Sequence, residues 1–553
     1  MEYFKKSQRG AQTYIYRVET SDSGIKKTTY LGNINTLTGK VLREVNDYFS
    51  KKESEKQYKA GEKSYECILQ ESLDFDYKLF GDLWLIYQIE KIIGVIDIID
   101  RKIIKRARTR RETPGMYFFI AIANRLINPT SKNKLSEWLS GYDTEHIFNK
   151  IIDPDNFNSK AFYQLFNFID DKTLNEIGNE ILQKCNNVIG SDNLDPNCSY
   201  DQTNFYTYIA TETESELAQR GKNKQGRDDL KQIGLAFCIQ HAEKMMIYYK
   251  IYPGNMHDSQ VFNDSLPEML EQAKKCGKDR LIIIFDKGNN SLENISIIDN
   301  SNNVDFITSY SIAYDRSLAS IKLDKFTVIN CKHNSVIDEK IKLNPDDKEN
   351  LESSKIRVFI LTKEFWGKDR LVAIIYNKNS AKKQELRLNK NLEKLSSWLK
   401  EAKKKAASGS NFYTTKSSII NLYNKKAHDC HLSPDVYELS FIESNGNIKL
   451  NYRKRKTFID DYINRCGKTV LITGNLNFTP EKMVQCYFDH YVVEEAFRQC
   501  KDDDCCSVWP IFHSKDNTMR AHIFCCIVSL CFLRILEFIL KKFGIYESGK
   551  KYY

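Results

Sequence analysis

The chain predicts an α/β protein, a mixed sheet flanked by helices. Between residues 198 and 310 strand-like and helix-like runs follow the order β-β-β-α-β-α-β. The strands are TNFYTYIA (203–210), IGLAFCI (233–239), MMIYYKIY (245–252), LIIIF (281–285) and VDFITS (304–309), and the helices fall at 258–275 and 291–299. Three strands joined by short turns form an antiparallel meander, and the later strands arrive through helices. A doubly wound dinucleotide-binding domain would alternate strictly and open on a Gly-rich turn, yet no GxGxxG follows the first strand.

Composition bounds the rest. With 553 residues, a prior of roughly 150 per domain predicts about three or four domains. A hydrophobic share of 41% allows a core and excludes wholesale disorder, and 10 Pro and 24 Gly exclude a collagen-like chain. Lys and Arg number 83 against 73 Asp and Glu, a net charge of +10 that permits a polyanionic partner. The 15 Cys are odd in number and form no framework, and MEYFKKSQRG has no apolar leader run. Free thiols in a reducing cytosol are expected. The longest apolar run, IFCCIVSLCFL (523–533), is too short for roughly 30 Å of hydrocarbon and reads as a core helix.

In chain order, residues 1–50 read as short strands and turns, with alternation in TYIYRVE (13–19). Leu83, Ile86, Ile89, Ile92, Ile93 and Ile96 recur at helical spacing. RKIIKRARTRR (101–111) carries seven basic residues and no acid, which fits either a solvated helix face or phosphate contact. A helical pair follows over 114–140. Beyond the mixed sheet, RVFILT (358–363) and RLVAIIY (370–376) read as strands and 391–407 as a Lys-rich helix. RKRK (453–456) is another basic cluster, and after TVLIT (469–473) helical periodicity runs from 479 to about 543.

Three acids stand where a sheet would present them. Asp201 lies in YDQTN at the start of the first meander strand, Asp286 directly follows LIIIF, and Glu494 lies on the helical stretch YFDHYVVEEAFRQCK. In-line phosphodiester displacement uses two divalent ions about 3.5–4 Å apart. Mg²⁺ takes hard oxygen ligands, a few carboxylates completed by water and phosphate. Three carboxylates from distant positions converging on one sheet edge would supply them. Other motifs read more simply. His428, Cys430 and His431 lack a second half-site for zinc and read as a polar loop. Asp502, Asp503 and Asp504 read as a solvated turn, His257 and Asp258 as a helix start, and Arg520 and His522 as either phosphate contacts or structural residues. Trp366 reads as a strand or core aromatic, with stacking on an unpaired base as the alternative.

On these motifs the chain resembles the DDE-type transposases of bacterial insertion sequences. YDQTNFY is similar to the family's first-Asp motif and LIIIFDKGNNSLENI to its second. GKNKQGRDDLKQIGLAF and YKIYPGNMHDSQVF match the strands between them. Tyr487, His490, Glu494 and Lys501 stand at the spacing of the Y-(2)-R-(3)-E-(6)-K signature, with His490 where the family has Arg. The intervals are 85 residues from Asp201 to Asp286 and 208 from Asp286 to Glu494. Glu495 competes for the third place, but on a helix it points roughly 100° away from Glu494.

The resemblance implies an RNase H-like core, a mixed five-stranded sheet, split between 195–311 and 466–545. It implies a β-rich insertion at 312–465 and a mainly helical DNA-end-binding region at 1–150. Asp201, Asp286 and Glu494 would be catalytic and hold two Mg²⁺ or Mn²⁺ ions. Tyr487, His490, Arg498, Lys501, Arg106, Arg108, Arg110, Arg111, Arg453, Lys454 and Arg455 would contact DNA. The partners implied are terminal inverted repeats, target DNA and a second copy in a synaptic complex, in bacterial cytoplasm at the nucleoid. The alternatives are a metal-dependent nuclease on the same core and an idle DNA-binding derivative.

Overall fold

A computed structural model describes residues 2–9, 12–21, 26–37, 39–59, 78–103, 112–190, 195–222, 226–444 and 447–546. The chain opens on a three-stranded antiparallel sheet, β1 (Glu2–Arg9), β2 (Gln12–Thr20) and β3 (Lys26–Asn33), against which α1 (Gly39–Lys59) packs through Val45. Then come α2 (Gly81–Ile93) and α3 (Val95–Lys102). The single helix-like spacing over this region is broken at Gly94, whose φ of +78° suits a residue without Cβ. Next are α4 (Pro114–Ile127), α5 (Ser159–Phe168) and α6 (Asp171–Ile189), with shorter helices between α4 and α5. Thr113 starts α4 by accepting from the Met116 N–H, with Pro114 in the first turn.

The large sheet follows. Its first strands are β4 (Asn197–Tyr206), β5 (Gln232–Gln240) and β6 (Met246–Pro253). Then α7 (Asp258–Lys275), β7 (Leu281–Phe285), α8 (Leu292–Asp299) and β8 (Val304–Tyr310) complete the segment. β6-β5-β4 is antiparallel and β4-β7-β8 is parallel. All five residues of β7 are buried, as an apolar run in the middle of a covered sheet must be. The first strand begins six residues before the sequence reading placed it. NCSYDQ is polar in part, but its backbone pairs with both β5 and β7, so tertiary pairing outweighs composition. The link from β4 to β5 spans 207–231 and is no short turn.

The sheet does not stop at five strands. β9 (Thr327–Val328), β10 (Arg357–Phe365), β11 (Lys368–Tyr376) and β14 (Lys468–Thr473) extend it to nine, in the order β6-β5-β4-β7-β8-β14-β11-β10-β9. The expected β-rich insertion thus contributes strands to the main sheet. It also holds more helix than strand: α9 (Lys332–Leu343), α10 (Lys378–Ala407), α11 (Lys416–Asp429) and α12 (Lys456–Arg465), with only a separate hairpin, β12 (Tyr437–Ser444) and β13 (Asn447–Lys454). Its Lys-rich helices bury narrow Leu and Ala stripes such as Leu388, Leu392, Leu395 and Leu399.

The chain closes with α13 (Pro480–Phe488), α14 (Tyr491–Lys501) and α15 (Asp516–Lys542). One sheet face is covered by α7 and α8. The other is covered by α13 next to β8 and β11 and by α14 next to β4 and β5. α15 runs through the helical layer with α2, α4, α5 and α6. By length and composition it could cross a membrane, but it is enclosed by those helices, as a core helix is.

Candidate active site

Strand register places the first two carboxylates. β4 and β7 run parallel with Tyr200 beside Phe285, and both side chains enter the core under α7. The next residues, Asp201 and Asp286, therefore turn to the opposite face, on neighbouring strands about 4.8 Å apart. Asp286 lies just past the end of β7 with backbone still extended (φ −80°, ψ 161°), and is exposed, whereas Asp201 is half-buried. Ser309 at the end of β8 fixes the Asp286 turn. Its hydroxyl donates to Asp286 Oδ1 at 3.3 Å and accepts from the Lys287 N–H at 3.0 Å.

Helix α14 brings the third. Phe497 stacks on Phe237 with centroids 4.6 Å apart and planes 13° apart, a contact worth about 0.5–1.5 kcal/mol beyond its burial. Phe237 is the cross-strand neighbour of Asp201. Lys501 donates to the Thr203 hydroxyl at 2.7 Å, and Thr203 shares the face of Asp201 two residues away. Glu494, Phe497 and Lys501 share one side of α14, so Glu494 lies on that side, in the first turn, where the helix dipole favours an acid. Glu494 and Arg498 are exposed, and Lys501 is half-buried.

Glu495 faces elsewhere. It pairs with Lys244 at 2.8 Å, and although burial works the other way, that bond and charge hold its carboxyl below the usual range. Tyr487 and His490 lie within the fields of both Asp286 and Glu494. Burial, then the Asp286 charge, raises the Tyr487 pKa. His490 is only 6% exposed, and neither ring nitrogen has a partner among the described residues. Burial lowers its pKa despite the two carboxylates.

The other candidates lie apart. Arg106, Arg108, Arg110 and Arg111 fall outside the described residues. Arg453, Lys454 and Arg455 are exposed at the end of the β12–β13 hairpin, which packs on α10 and not on the large sheet. Trp366 sits with Gly367 at the tight β10–β11 turn, packed near Phe306, Tyr310 and Phe365. Cys430 is buried while His428 and His431 are exposed. Asp502 accepts from the Asp504 N–H in the turn after α14. Sequence reasoning missed Ser309 and Thr203. Thr203 has a signal in the strand's period of two, while Ser309 joins the site only through pairing of β8 with β7.

Asp201, Asp286 and Glu494 suit a hard divalent ion in donor chemistry and openness to solvent. Among the described residues, no three His, Cys, Asp or Glu side chains close around a single point. The arrangement is a row of carboxylates on one face, open on the solvent side.

The profile of the transposase DDE domain family matches residues 201–532, more than half of the chain, beginning at Asp201 and taking in Asp286 and Glu494. No curated protein matches the sequence. Among solved structures, a cryo-EM structure of a piggyBac transposase synaptic complex with hairpin DNA is similar at 10% identity and a TM-score of 0.37, over 86% of this chain and 79% of that one. The chain belongs to the transposase DDE domain family.

Proposed function

We propose that the protein is the transposase of a bacterial insertion sequence, cutting the phosphodiester at its element's ends and joining the 3′-hydroxyl to target DNA. One observation carries this reading: Asp201 and Asp286 are neighbours on adjacent parallel strands, under a helix that turns Glu494 to the same face. The strand order β6-β5-β4-β7-β8, antiparallel then parallel, supports an RNase H-like core with β14, β11, β10 and β9 appended.

Asp201, Asp286 and Glu494 would hold two Mg²⁺ or Mn²⁺ ions. Such a pair supplies activation of the attacking oxygen and stabilisation of the leaving one. The residues around them do the positioning. Ser309 orients Asp286 by bonding its carboxylate and the next backbone N–H. Lys501 pins α14 to β4 through Thr203 and sets the depth of Glu494. Arg498, exposed one turn beyond Glu494, meets the end phosphates, with His490 buried within the fields of Asp286 and Glu494. Further DNA contacts come from 1–150 and from Arg453, Lys454 and Arg455 in the 312–465 region, phosphate contacts setting register and base contacts setting sequence. Two ends imply at least two copies on DNA, in bacterial cytoplasm.

The test is incubation with a labelled duplex carrying the terminal repeat, supercoiled target and Mg²⁺. Cleavage with strand transfer is expected, and Asp201→Ala should abolish both while leaving binding intact. Cutting without joining would assign a nuclease, binding alone an idle derivative. An Asp201→Ala protein that cuts at the wild-type rate would remove this site.

A further inference from the structure

The chain's surplus of positive charge sits in one place. Residues 377–467 hold 19 Lys and Arg against 9 Asp and Glu, while the other 462 residues hold 64 of each sign. The whole net charge of +10 therefore belongs to the excursion between β11 and β14. That excursion is built around apolar clusters of its own. Leu388, Leu392, Leu395 and Leu399 of α10 cluster with Tyr423 and Ala427 of α11. Entry and exit are tied together, the Asn377 N–H donating to the Gly467 carbonyl at 2.9 Å.

Strand register relates this root to the carboxylate face. Phe285 pairs with Thr308, Ser309 with Leu471 and Tyr376 with Lys468. The ends of β7, β8 and β11 and the start of β14 thus lie at one end of the sheet, where Asp286 stands. β14 is two strands from β7, about 10 Å. Asp286 is level with Ser309 and Leu471, three residues or about 10 Å short of Lys468. The root is therefore about 14 Å from Asp286.

From that root α10 carries a stripe of one sign. Lys383, Arg387, Lys390 and Lys394 fall within about 60° of one another around the helix axis. All four are exposed, and among the described residues none has an acidic partner. Glu385 and Glu393 lie about 90° or more from the middle of the stripe. A helix face that is merely solvated and laced by salt bridges mixes its signs, and these three turns do not. The stripe is about 17 Å long, over which one DNA strand presents about five phosphates. Its near end starts about 9 Å along α10, so it lies within about 25 Å of Asp286, less than one turn of duplex at roughly 34 Å.

We propose that the α10 stripe holds the backbone of duplex DNA whatever its sequence, gripping the DNA that runs past the carboxylate face. Lysine meets phosphate as a point charge, so such a contact adds affinity and position and carries no sequence information. The choice of DNA as the polyanion rests on the transposase reading, whereas the placement of the charge does not.

The test is binding of full-length protein to two labelled duplexes over a series of salt concentrations, one carrying the terminal repeat and one of unrelated sequence. Changing all four residues together, Lys383→Gln, Arg387→Gln, Lys390→Gln and Lys394→Gln, should flatten the slope of log affinity against log salt by about three to four on both duplexes. The melting temperature should not move, since all four side chains lie off the buried stripe. Should that protein fail to fold, the pair Lys383→Gln and Lys390→Gln should flatten the slope by about two. A control with the same loss of charge elsewhere, Lys160→Gln, Lys172→Gln, Lys184→Gln and Lys274→Gln, should flatten it by less than about one. An unchanged slope in the stripe variant, or an equal loss in the control, overturns the surface. A loss confined to the terminal-repeat duplex overturns the sequence-independent grip and makes the stripe part of end recognition. The expected loss in a protein whose wild type neither cuts nor joins DNA keeps the surface and removes the transposase reading.

Discussion

Two groups of like charge, one on a face of the large sheet and one inside the helical layer, are treated in opposite ways by solvent. On the carboxylate face, Asp286 and Glu494 are exposed and Asp201 is half-buried. In a basic cluster inside the helical layer, Lys132, Arg125 and His522 are nearly sealed. Hydrated carboxylates repel weakly through water, so that face costs the fold little. Sealed cations lose hydration and repel through a medium of low polarisability, so the cluster opposes folding. Chemistry is therefore expected where charge is wet, and conditional stability where it is dry.

The largest effect that tests this contrast comes from two adjacent glutamates. Glu494→Gln removes an exposed carboxylate from the site and should lower strand cleavage by at least about a thousandfold, with stability within about 0.5 kcal/mol of wild type. Glu495→Gln breaks the ion pair with Lys244 and should retain cleavage while losing about 1 kcal/mol. Single-turnover cleavage and urea unfolding on both variants check the pair. The reverse pattern would put the third carboxylate at Glu495.

That pair also marks how far the sequence reaches. Helical geometry alone separates Glu494 from Glu495, and the run LIIIF alone places Asp286 at a strand end, because both follow from local periodicity. The meander and the two strands after it were legible for the same reason. What was not legible depends on pairing between distant segments. That β14 lies beside β8, and β11 beside β14, is a choice of partner that no local pattern encodes. The start of β4 at Asn197 was hidden because its polar residues are held by strands on both sides. Burial of His490 was hidden too. A signature aligned by spacing says which helix face a residue occupies, but not what the sheet beneath leaves room for.

A buried cation that does have its acid sharpens the comparison. Arg370, 2% exposed, bonds both oxygens of Asp299, at 2.8 and 2.6 Å, and lies over the Phe306 ring at 5.4 Å. Burial works against the Asp299 charge, yet Arg370 and Lys368 hold its carboxyl below the usual range. The pair ties the end of α8 to β11, joining the two parts of the sheet. Asp299→Ala strands the guanidinium and should destabilise the protein by about 3–5 kcal/mol, read as a shift in urea midpoint. Were the loss under about 1 kcal/mol, the guanidinium would have other means of satisfaction, and the contrast with Lys132 would fail.

The smallest effect concerns pH. Folded Lys132 titrates at about 8, against about 10.5 in the unfolded chain. Below pH 8 both states carry the proton, and the folded state bears the whole burden of burying a cation beside Arg125. Between pH 8 and 10.5 the folded lysine is neutral while the unfolded one still binds a proton. The unfolded state then holds more protons, so stability rises with pH over that window. The rise is about 3 kcal/mol at most. Tyrosines and the other buried thiols titrate in the same range, so the quantity to follow is the difference between wild type and Lys132→Met. Met has no proton to lose, and it should be the more stable protein at pH 7, with an advantage that shrinks steadily to pH 10.5. A difference that stays flat from pH 8 to 10.5 would mean that Lys132 keeps its proton in the fold, and that its ammonium is already compensated where it lies.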